Sequence, residues 1–179
     1  DEGGVEHQAE MPEAVAPESL PSPEQRMAEM QARGEPVEDW MLWGRALDTR
    51  YVDETDYTGK LRQDPSWRVW LRANGKLPDD PALHRAVIAY ASDYTLLGTA
   101  AIAHGLSWMR GELVGASLDH AIWFHAPARA DEWLLYDTDS PWSGNGRGYN
   151  RGRIFTEGGT LVASVAQEGM MRKRRSKSN

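Results

Sequence analysis

The sequence predicts an α+β fold in which one antiparallel sheet curves around a single long helix. Apolar residues recur at three- and four-residue steps between Leu83 and Ala101, which is the spacing of one helix face. Short segments that alternate polar and apolar residues fill most of the chain after residue 112, and such alternation is typical of strands. Because short turns join these later segments, they predict an antiparallel sheet that buries the apolar helix face.

The composition indicates one ordinary domain with some loosely packing sequence beside it. The chain has 179 residues, a formal net charge of −7 and 40% hydrophobic residues. It has no cysteine, which excludes disulfides, thiolate metal ligands and a cysteine nucleophile. The negative charge disfavours a nucleic-acid surface, and no apolar run reaches about 18 residues. We therefore expect a cytoplasmic protein that neither binds nucleic acid nor inserts into membranes.

Three parts are expected along the chain. Residues 1–35 combine Pro, Glu, Gly and Ala without periodicity, which indicates a linker or a segment that wraps a neighbour. Residues 36–172 are expected to form the folded domain. Residues 173–179 are expected to be a solvated basic tail to which we assign no function.

Within the domain, the pattern predicts one helix and five strands. Asp80 followed by Pro81 is a good N-cap and first-turn pair, so the helix begins there. It can run to about Ala103, with a possible break near Gly98. Residues 38–52 predict a mixture of loop and strand that leads into the sheet. The five predicted strands cover residues 66–74, 115–126, 131–142, 148–156 and 160–171.

The predicted helix face carries one acidic residue, Asp93, at a position where burial is expected. Apolar surroundings raise the pKa of a carboxyl group, and such a group can act as a general base. A hydrogen bond to a partner, or a break in the helix, would explain the aspartate equally well. The helix pattern alone leaves both interpretations open.

Two polar strand residues raise the same question. Gln167 continues the parity of Leu161, Ala163 and Val165, which directs its amide toward the buried face, where it would need a hydrogen-bonding partner. A strand end that turns into solvent is the favoured alternative. Ser117 has the opposite parity to the apolar residues that follow it, so it faces inward only at a bulge or a strand start. Parity alone therefore favours a surface serine.

Other motifs point to structure more than to chemistry. His120 and His125 fall on opposite faces of one predicted strand, so they are interpreted as structural or edge histidines without a shared metal. No helix follows the glycine-rich stretch "SGNGRGYNRG" to present its N-terminus to a phosphate, so a hairpin turn is favoured. Arg147, Arg151 and Arg153 could contact a phosphorylated ligand, with solvent-facing strand charges as the favoured alternative.

The run from "SLDHAIWFHAPARADEWLLY" to "VASVAQEGMMR" closely resembles the C-terminal half of the acyl-CoA thioesterase II (TesB-like) family, whose members are double-hotdog enzymes. The stretch "ALHRAVIAYASDYTLLGTAAIAHG" is similar to that family's central hotdog helix. The resemblance covers about residues 67–172. The opening "GVEHQAEMPEAVAPESLPSP" also resembles the family's segment just after the first hotdog, so residues 1–35 are expected to follow a hotdog that this sequence lacks.

The resemblance implies a catalytic site and a substrate. The family's catalytic aspartate, hydroxyl residue and glutamine fall on Asp93, Ser117 and Gln167. These residues would hold and activate one water, which attacks the thioester of a medium- to long-chain fatty acyl-CoA and releases fatty acid and CoA. No metal or redox cofactor is implied. Candidate walls of the acyl channel are Tyr90, Tyr94, Leu97, Trp123 and Phe124, and the candidate substrate-binding residues are Tyr90, Tyr94, Arg147 and Arg151.

Alternatives and partners follow from the same resemblance. A hotdog dehydratase or hydratase would need a histidine near the helix, and His104 is the nearby candidate. A non-catalytic hotdog half that binds acyl-CoA, or that pairs with another half, is the alternative from a different class. Because hotdogs close their sheets by pairing, we expect the N-terminal hotdog of the same protein or a second copy as partner, and then a homo-oligomer.

Overall fold

The computed structural model describes residues 3–34, 37, 46–53, 64–108 and 111–174. Three α-helices occur within this part of the chain. They are α1 Pro23–Ala32, α2 Pro81–Tyr94 and α3 Leu96–Ile102, and a short 3₁₀ helix, Pro17–Ser19, precedes them. The strands are β1 Leu47–Tyr51, β2 Ser66–Ala73, β3 Leu113–Ser117, β4 Ala121–Phe124, β5 Leu134–Gly144, β6 Arg147–Thr156 and β7 Leu161–Lys173.

All of these strands form one antiparallel sheet. Its order is β1-β2-β5-β6-β7, and β3 and β4 then pair with successive stretches of β7 at the far edge. The predicted antiparallel sheet is therefore confirmed. The described residues form seven strands where the pattern predicted five, because residues 115–126 divide into two strands and because β1 forms within the expected lead-in. That lead-in, residues 38–52, is described only from residue 46 onward.

The long helix begins where the sequence predicts but breaks earlier. Asp80 caps α2, its carboxylate accepting a hydrogen bond of 2.9 Å from the backbone N–H of Ala82. The helix ends at Tyr94, and α3 starts only after Thr95, so the break precedes the position expected near Gly98. The last turn of a helix leaves backbone carbonyls without partners inside the helix. At the end of α2, the hydroxyl of Tyr136 donates a hydrogen bond of 2.9 Å to one of them, the carbonyl of Ser92.

The core lies between α2, α3 and the concave face of the sheet. The buried residues of α2 are His84, Ile88, Ala91 and Ser92. Ile88 and Ala91 belong to one apolar cluster with strand residues such as Val69, Tyr136 and Ile154. The buried stripe of α2 lies to one side of the apolar stripe that the sequence predicts. Tyr90, which belongs to the predicted stripe, is 58% exposed. The Asp93 side chain is 55% exposed. The expectation that Asp93 occupies a buried position is therefore wrong.

The N-terminal segment covers part of the convex face of the sheet. Two indole N–H groups hold it there. Trp70 donates a hydrogen bond of 2.9 Å to the carbonyl of Val15, and Trp133 donates one of 2.8 Å to the carboxylate of Glu18. Ser22 and Gln25 close a capping box at the start of α1, a helix that the sequence pattern did not predict. The small apolar cluster beneath the segment contains Ala9, Met11, Ala14, Leu20, Trp70, Trp133, Leu135 and Phe155.

The predicted division of the chain at residues 35 and 172 stays a prediction. The last five residues of the expected basic tail, 175–179, lie outside the described residues. Within the described part, none of the helices is both long enough and apolar enough to cross a membrane.

A buried carboxylate ties the turn before α2 to the start of β5. Asp131 is fully enclosed and accepts hydrogen bonds from Arg129 at 3.0 and 3.2 Å and from the backbone N–H of Leu77 at 3.0 Å. The Arg129 guanidinium, followed by the Leu77 amide, holds the pKa of Asp131 well below its usual range. A carboxyl group whose pKa falls on folding stabilises the protein above its unfolded pKa, and that contribution disappears as the pH falls through the folded value.

We therefore expect Asp131→Asn to lower the midpoint of thermal unfolding at neutral pH. The difference from the unchanged protein should shrink progressively below about pH 4, where the unfolded carboxyl group takes up its proton. Asp79→Asn is the matched control, because Asp79 contacts the same arginine at 2.9 Å but is 96% exposed, so its removal should change little. A difference that stays constant down to strong acid would contradict this account.

Candidate active site

Three side chains that are distant in sequence meet at the C-terminal end of α2. The hydroxyl of Ser117 donates to a carboxylate oxygen of Asp93 at 3.3 Å. The side-chain amide of Gln167 contacts Ser117 Oγ at 3.0 Å and also donates to the same Asp93 oxygen. A carboxylate, a hydroxyl and an amide thus converge on one point, which is an arrangement that can bind a water molecule and take a proton from it.

The sheet register explains why Ser117 and Gln167 meet. Ser117 is the last residue of β3 and lies opposite Gly169 of β7, and residues two apart on a strand share a face. Gln167 and Gly169 therefore point toward the helices together with Ser117. Asp93, in the last turn of α2, reaches this face from above the sheet edge.

The parity argument against Ser117 fails because the predicted strand is really two. β3 ends at Ser117, and Leu118–His120 separate it from β4. Ile122 in β4 pairs with Val165 of β7 and packs into the core, so it shares the inner face with Ser117 despite the odd spacing. The interruption supplies the strand-end position that an inward Ser117 requires.

Gln167 is placed as its own parity predicts. Its side chain is completely buried, so the alternative of a strand end that turns into solvent is wrong. The amide nitrogen makes the contacts to Asp93 and Ser117, whereas the amide oxygen has no hydrogen-bonding partner among the described residues. An amide held in this way presents its N–H groups to the cluster.

The sequence interpretation missed two residues that extend the cluster, His120 and Ser92. His120 was interpreted as a structural or edge histidine, but its Nδ1 lies 3.0 Å from the Gln167 amide nitrogen and 3.7 Å from the Asp93 carboxylate. Its Nε2 contacts the hydroxyl of Ser92 at 2.8 Å, and that hydroxyl donates to the carbonyl of Ala89 at 2.8 Å. The signal was the position of His120, three residues after Ser117 in the same strand connection.

Tyr136 anchors the helix end beneath the site. Burial, and to a smaller degree the negative charge of Asp93, raise the pKa of Tyr136 well above its usual range. The phenol therefore stays protonated and keeps donating to the carbonyl of Ser92. This bond fixes the turn of α2 that carries Asp93.

An open cleft leads to the cluster from solvent. Asp93, Ser117 and His120 line it together with Tyr90 and Tyr94. Both tyrosines are exposed, at 58% and 46%, so the predicted substrate-binding tyrosines stand at the mouth of this cleft. They are placed to contact a bound molecule instead of filling the core.

The predicted arginines do not join the cluster. Arg147 and Arg151 alternate with residues that face the helices, so both project from the other face of the sheet. Arg147 pairs with Glu168 at 3.1 Å, and Arg151 pairs with Asp139 at 2.5 Å. Both arginines therefore lie away from the Asp93 cluster. Their contact with a phosphorylated ligand stays a prediction.

The other predicted histidine also lies elsewhere. His104 follows α3 and contacts the hydroxyl of Ser143 at 2.7 Å, so it has no contact with Asp93 or Gln167. In the stretches that the structure describes, no group of three or more His, Asp or Glu side chains could hold a metal ion.

Similar proteins were found at the level of sequence. Acyl-coenzyme A thioesterase 8 of Homo sapiens is 40% identical over 127 residues, which cover 70% of this chain and 39% of the relative. Acyl-CoA thioesterase 2 of Haemophilus influenzae is 31% identical over 174 residues, which cover 96% of this chain and 60% of the relative. The chain thus spans less than two thirds of the length of each of these relatives.

Solved structures agree with these relatives. An acyl-CoA thioesterase II, TesB2, from Mycobacterium marinum is 41% identical with a TM-score of 0.73, and the match covers 97% of this chain and 60% of that one. A hot dog fold protein from Alicyclobacillus acidocaldarius is 17% identical with a TM-score of 0.68, covering 98% of this chain and 59% of that one. The second likeness supports the fold alone, and the predicted hotdog fold is confirmed.

The family model described as the acyl-CoA thioesterase C-terminal domain matches residues 12–171. This range contains all three predicted catalytic residues, Asp93, Ser117 and Gln167, together with most of the N-terminal segment. The chain belongs to the acyl-CoA thioesterase family and corresponds to its C-terminal domain.

Proposed function

We propose that this chain takes part in the hydrolysis of medium- to long-chain fatty acyl-CoA, with Asp93 as the general base. The observation that carries the proposal is the convergence of the Asp93 carboxylate, the Ser117 hydroxyl and the Gln167 amide at hydrogen-bonding distance. Membership of a thioesterase family supports the same reaction. The names of the relatives support acyl-CoA as the substrate class.

In the proposed reaction, Ser117 and Gln167 hold a water molecule beside Asp93. Asp93 takes a proton from this water as its oxygen attacks the thioester carbonyl carbon and forms a tetrahedral intermediate. The carbon–sulfur bond then breaks, and the proton passes from Asp93 to the departing CoA sulfur. The products are a free fatty acid and CoA, and the carboxylate of Asp93 is regenerated.

A second hotdog is part of the proposal. The edge strands β3 and β4 and the connection between them carry exposed apolar side chains, including Val114, Leu118 and Trp123. An unpaired edge with apolar residues favours pairing with another sheet. We propose that this edge pairs with the N-terminal hotdog of the same protein or with a second copy, which would wall the open side of the cleft. The homo-oligomer and the cytoplasmic location stay predictions.

The test of the function is thiol release from acyl-CoAs of short, medium and long chain, measured with the native protein. We expect hydrolysis that increases with chain length, because Tyr90, Tyr94 and Leu118 offer apolar surface at the cleft. Binding without hydrolysis at every chain length would contradict the proposal and would support the alternative of a non-catalytic hotdog half that binds acyl-CoA.

A further inference from the structure

We propose that His120 is a positioning residue for this hydrolysis, acting as a neutral imidazole that orients the amide of Gln167 beside Asp93. This inference rests on the proposed function. Sequence interpretation assigned His120 to the strand edge, yet its side chain is only 22% exposed and contacts the cluster through both ring nitrogens.

One placement of the protons gives every hydrogen bond around His120 one donor and one acceptor. The hydroxyl of Ser92 donates its single hydrogen to the carbonyl of Ala89, at 2.8 Å. Its oxygen therefore accepts a hydrogen bond from the N–H of His120 Nε2, also at 2.8 Å. A neutral ring with its proton on Nε2 has a lone pair on Nδ1. That lone pair accepts an N–H of Gln167 at 3.0 Å. Ser92 therefore selects the tautomer, and this tautomer gives one N–H of the amide an acceptor on the ring.

The imidazole matters because every side-chain hydrogen bond of Gln167 is made through its amide nitrogen. Its amide oxygen has no partner among the described residues, so the amide is held through its nitrogen. With one N–H on His120, the other is directed at Asp93 and Ser117, where the water would bind. Loss of the imidazole would remove one of the three contacts that place the amide nitrogen, and a misplaced group near the reacting atoms can lower the rate by about 10²-fold.

His120 also lies close to the proposed base. Its Nδ1 is 3.7 Å from the Asp93 carboxylate, which is too far for a hydrogen bond between them. The carboxylate of the nearby Asp119 accepts a hydrogen bond of 2.7 Å from the backbone N–H of Glu168. The side chain of Glu168 pairs with Arg147 on the other face of the sheet. With Ser92 on Nε2 and Gln167 on Nδ1, both ring nitrogens have hydrogen-bonding partners other than Asp93.

The test compares His120→Leu with His120→Asn in the native protein. Leucine removes both ring nitrogens, and we expect kcat to fall about 10- to 100-fold while KM changes little. Asparagine places an oxygen near the position of Nδ1, where it can still accept from Gln167, so we expect it to recover a substantial part of kcat. His125→Asn is the matched control, because His125 makes a similar contact to Ser164 at 2.9 Å on the outer face of the sheet.

Ser92 supplies two independent measurements. Ser92→Ala should lower kcat in the unchanged background and have no further effect on kcat in His120→Asn, since Ser92 would act through the imidazole. Nitrogen NMR of the labelled protein, with His120→Asn used for assignment, should show a protonated Nε2 and an unprotonated Nδ1. The NMR result does not depend on activity.

The outcomes separate this inference from the proposed function. If Asp93→Asn abolishes hydrolysis but His120→Leu retains the full kcat, the positioning role is wrong and the proposed function stands. If Asp93→Asn retains hydrolysis, the proposed function fails first. Equal losses in the leucine and asparagine variants, or a proton found on Nδ1 of His120, would also overturn the positioning role.

Discussion

Asp93→Asn is expected to lower kcat for acyl-CoA hydrolysis by about 10²- to 10⁴-fold, the usual contribution of a general base. The amide has nearly the shape of the carboxylate but cannot take the proton of the attacking water. KM should change little, because Asp93 acts on the water and not on the acyl chain or CoA. Thiol release under saturating acyl-CoA, with acyl-CoA binding measured separately, gives both quantities.

Asp119→Asn is the matched control for this experiment. Asp119 lines the same cleft, but its carboxylate accepts the backbone N–H of Glu168 at 2.7 Å, and an asparagine can still accept that bond. We expect it to retain most of kcat. Equal losses in the two variants would indicate a general effect of negative charge at the cleft, and full activity in Asp93→Asn would remove Asp93 from the mechanism.

The sheet and helix were predictable because their patterns are local. Alternation identified β2, β5, β6 and β7, and the pair Asp80–Pro81 fixed the helix start. The face of the helix was not predictable to the same accuracy. Alanines and tyrosines surround the true stripe on α2, so two neighbouring stripes look almost equally apolar. The sequence pattern singled out Asp93 because it predicted burial in the core. Asp93 is instead exposed at the cleft, so the reason for selecting it was wrong.

Ser117 shows how a break in a strand defeats a parity argument. Alternation over residues 115–126 assumes one continuous strand, whereas the chain leaves the strand geometry after Ser117 and re-enters it at Ala121. No residue in that connection is a glycine or proline that would mark the interruption. Only the pairing of both segments with β7 reveals it, and that pairing is a long-range property.

His120 was missed for the same reason. Placed on a continuous strand, it falls on an edge, and a lone histidine there has no chemical partner in the local sequence. Its partners come from α2 and from β7, through Ser92 and Gln167. The N-terminal segment is a further case, since its Pro and Glu content hides a short helix and two anchoring contacts to Trp70 and Trp133.

Gly152→Ala is expected to destabilise the protein by roughly 1–3 kcal/mol, the usual cost of adding a methylene to a closely packed core. A Cβ at Gly152 would lie 2.3 Å from Cε2 and 2.7 Å from the hydroxyl of Tyr136, a side chain that is completely buried. The ring cannot move without breaking its bond to the carbonyl of Ser92, the bond that fixes the turn carrying Asp93.

The consequence is that Gly152→Ala should lower both stability and kcat. Thermal unfolding should shift down by about 2–4 °C for each kcal/mol lost in a chain of this length, and kcat should fall because the last turn of α2 moves relative to Ser117 and Gln167. Gly158→Ala is the matched control, since its added Cβ would meet only Thr156 Oγ1 at 3.8 Å. If Gly152→Ala lost stability but kept kcat, the Tyr136 bond would support the fold alone and Asp93 would be positioned by its contacts to Ser117 and Gln167.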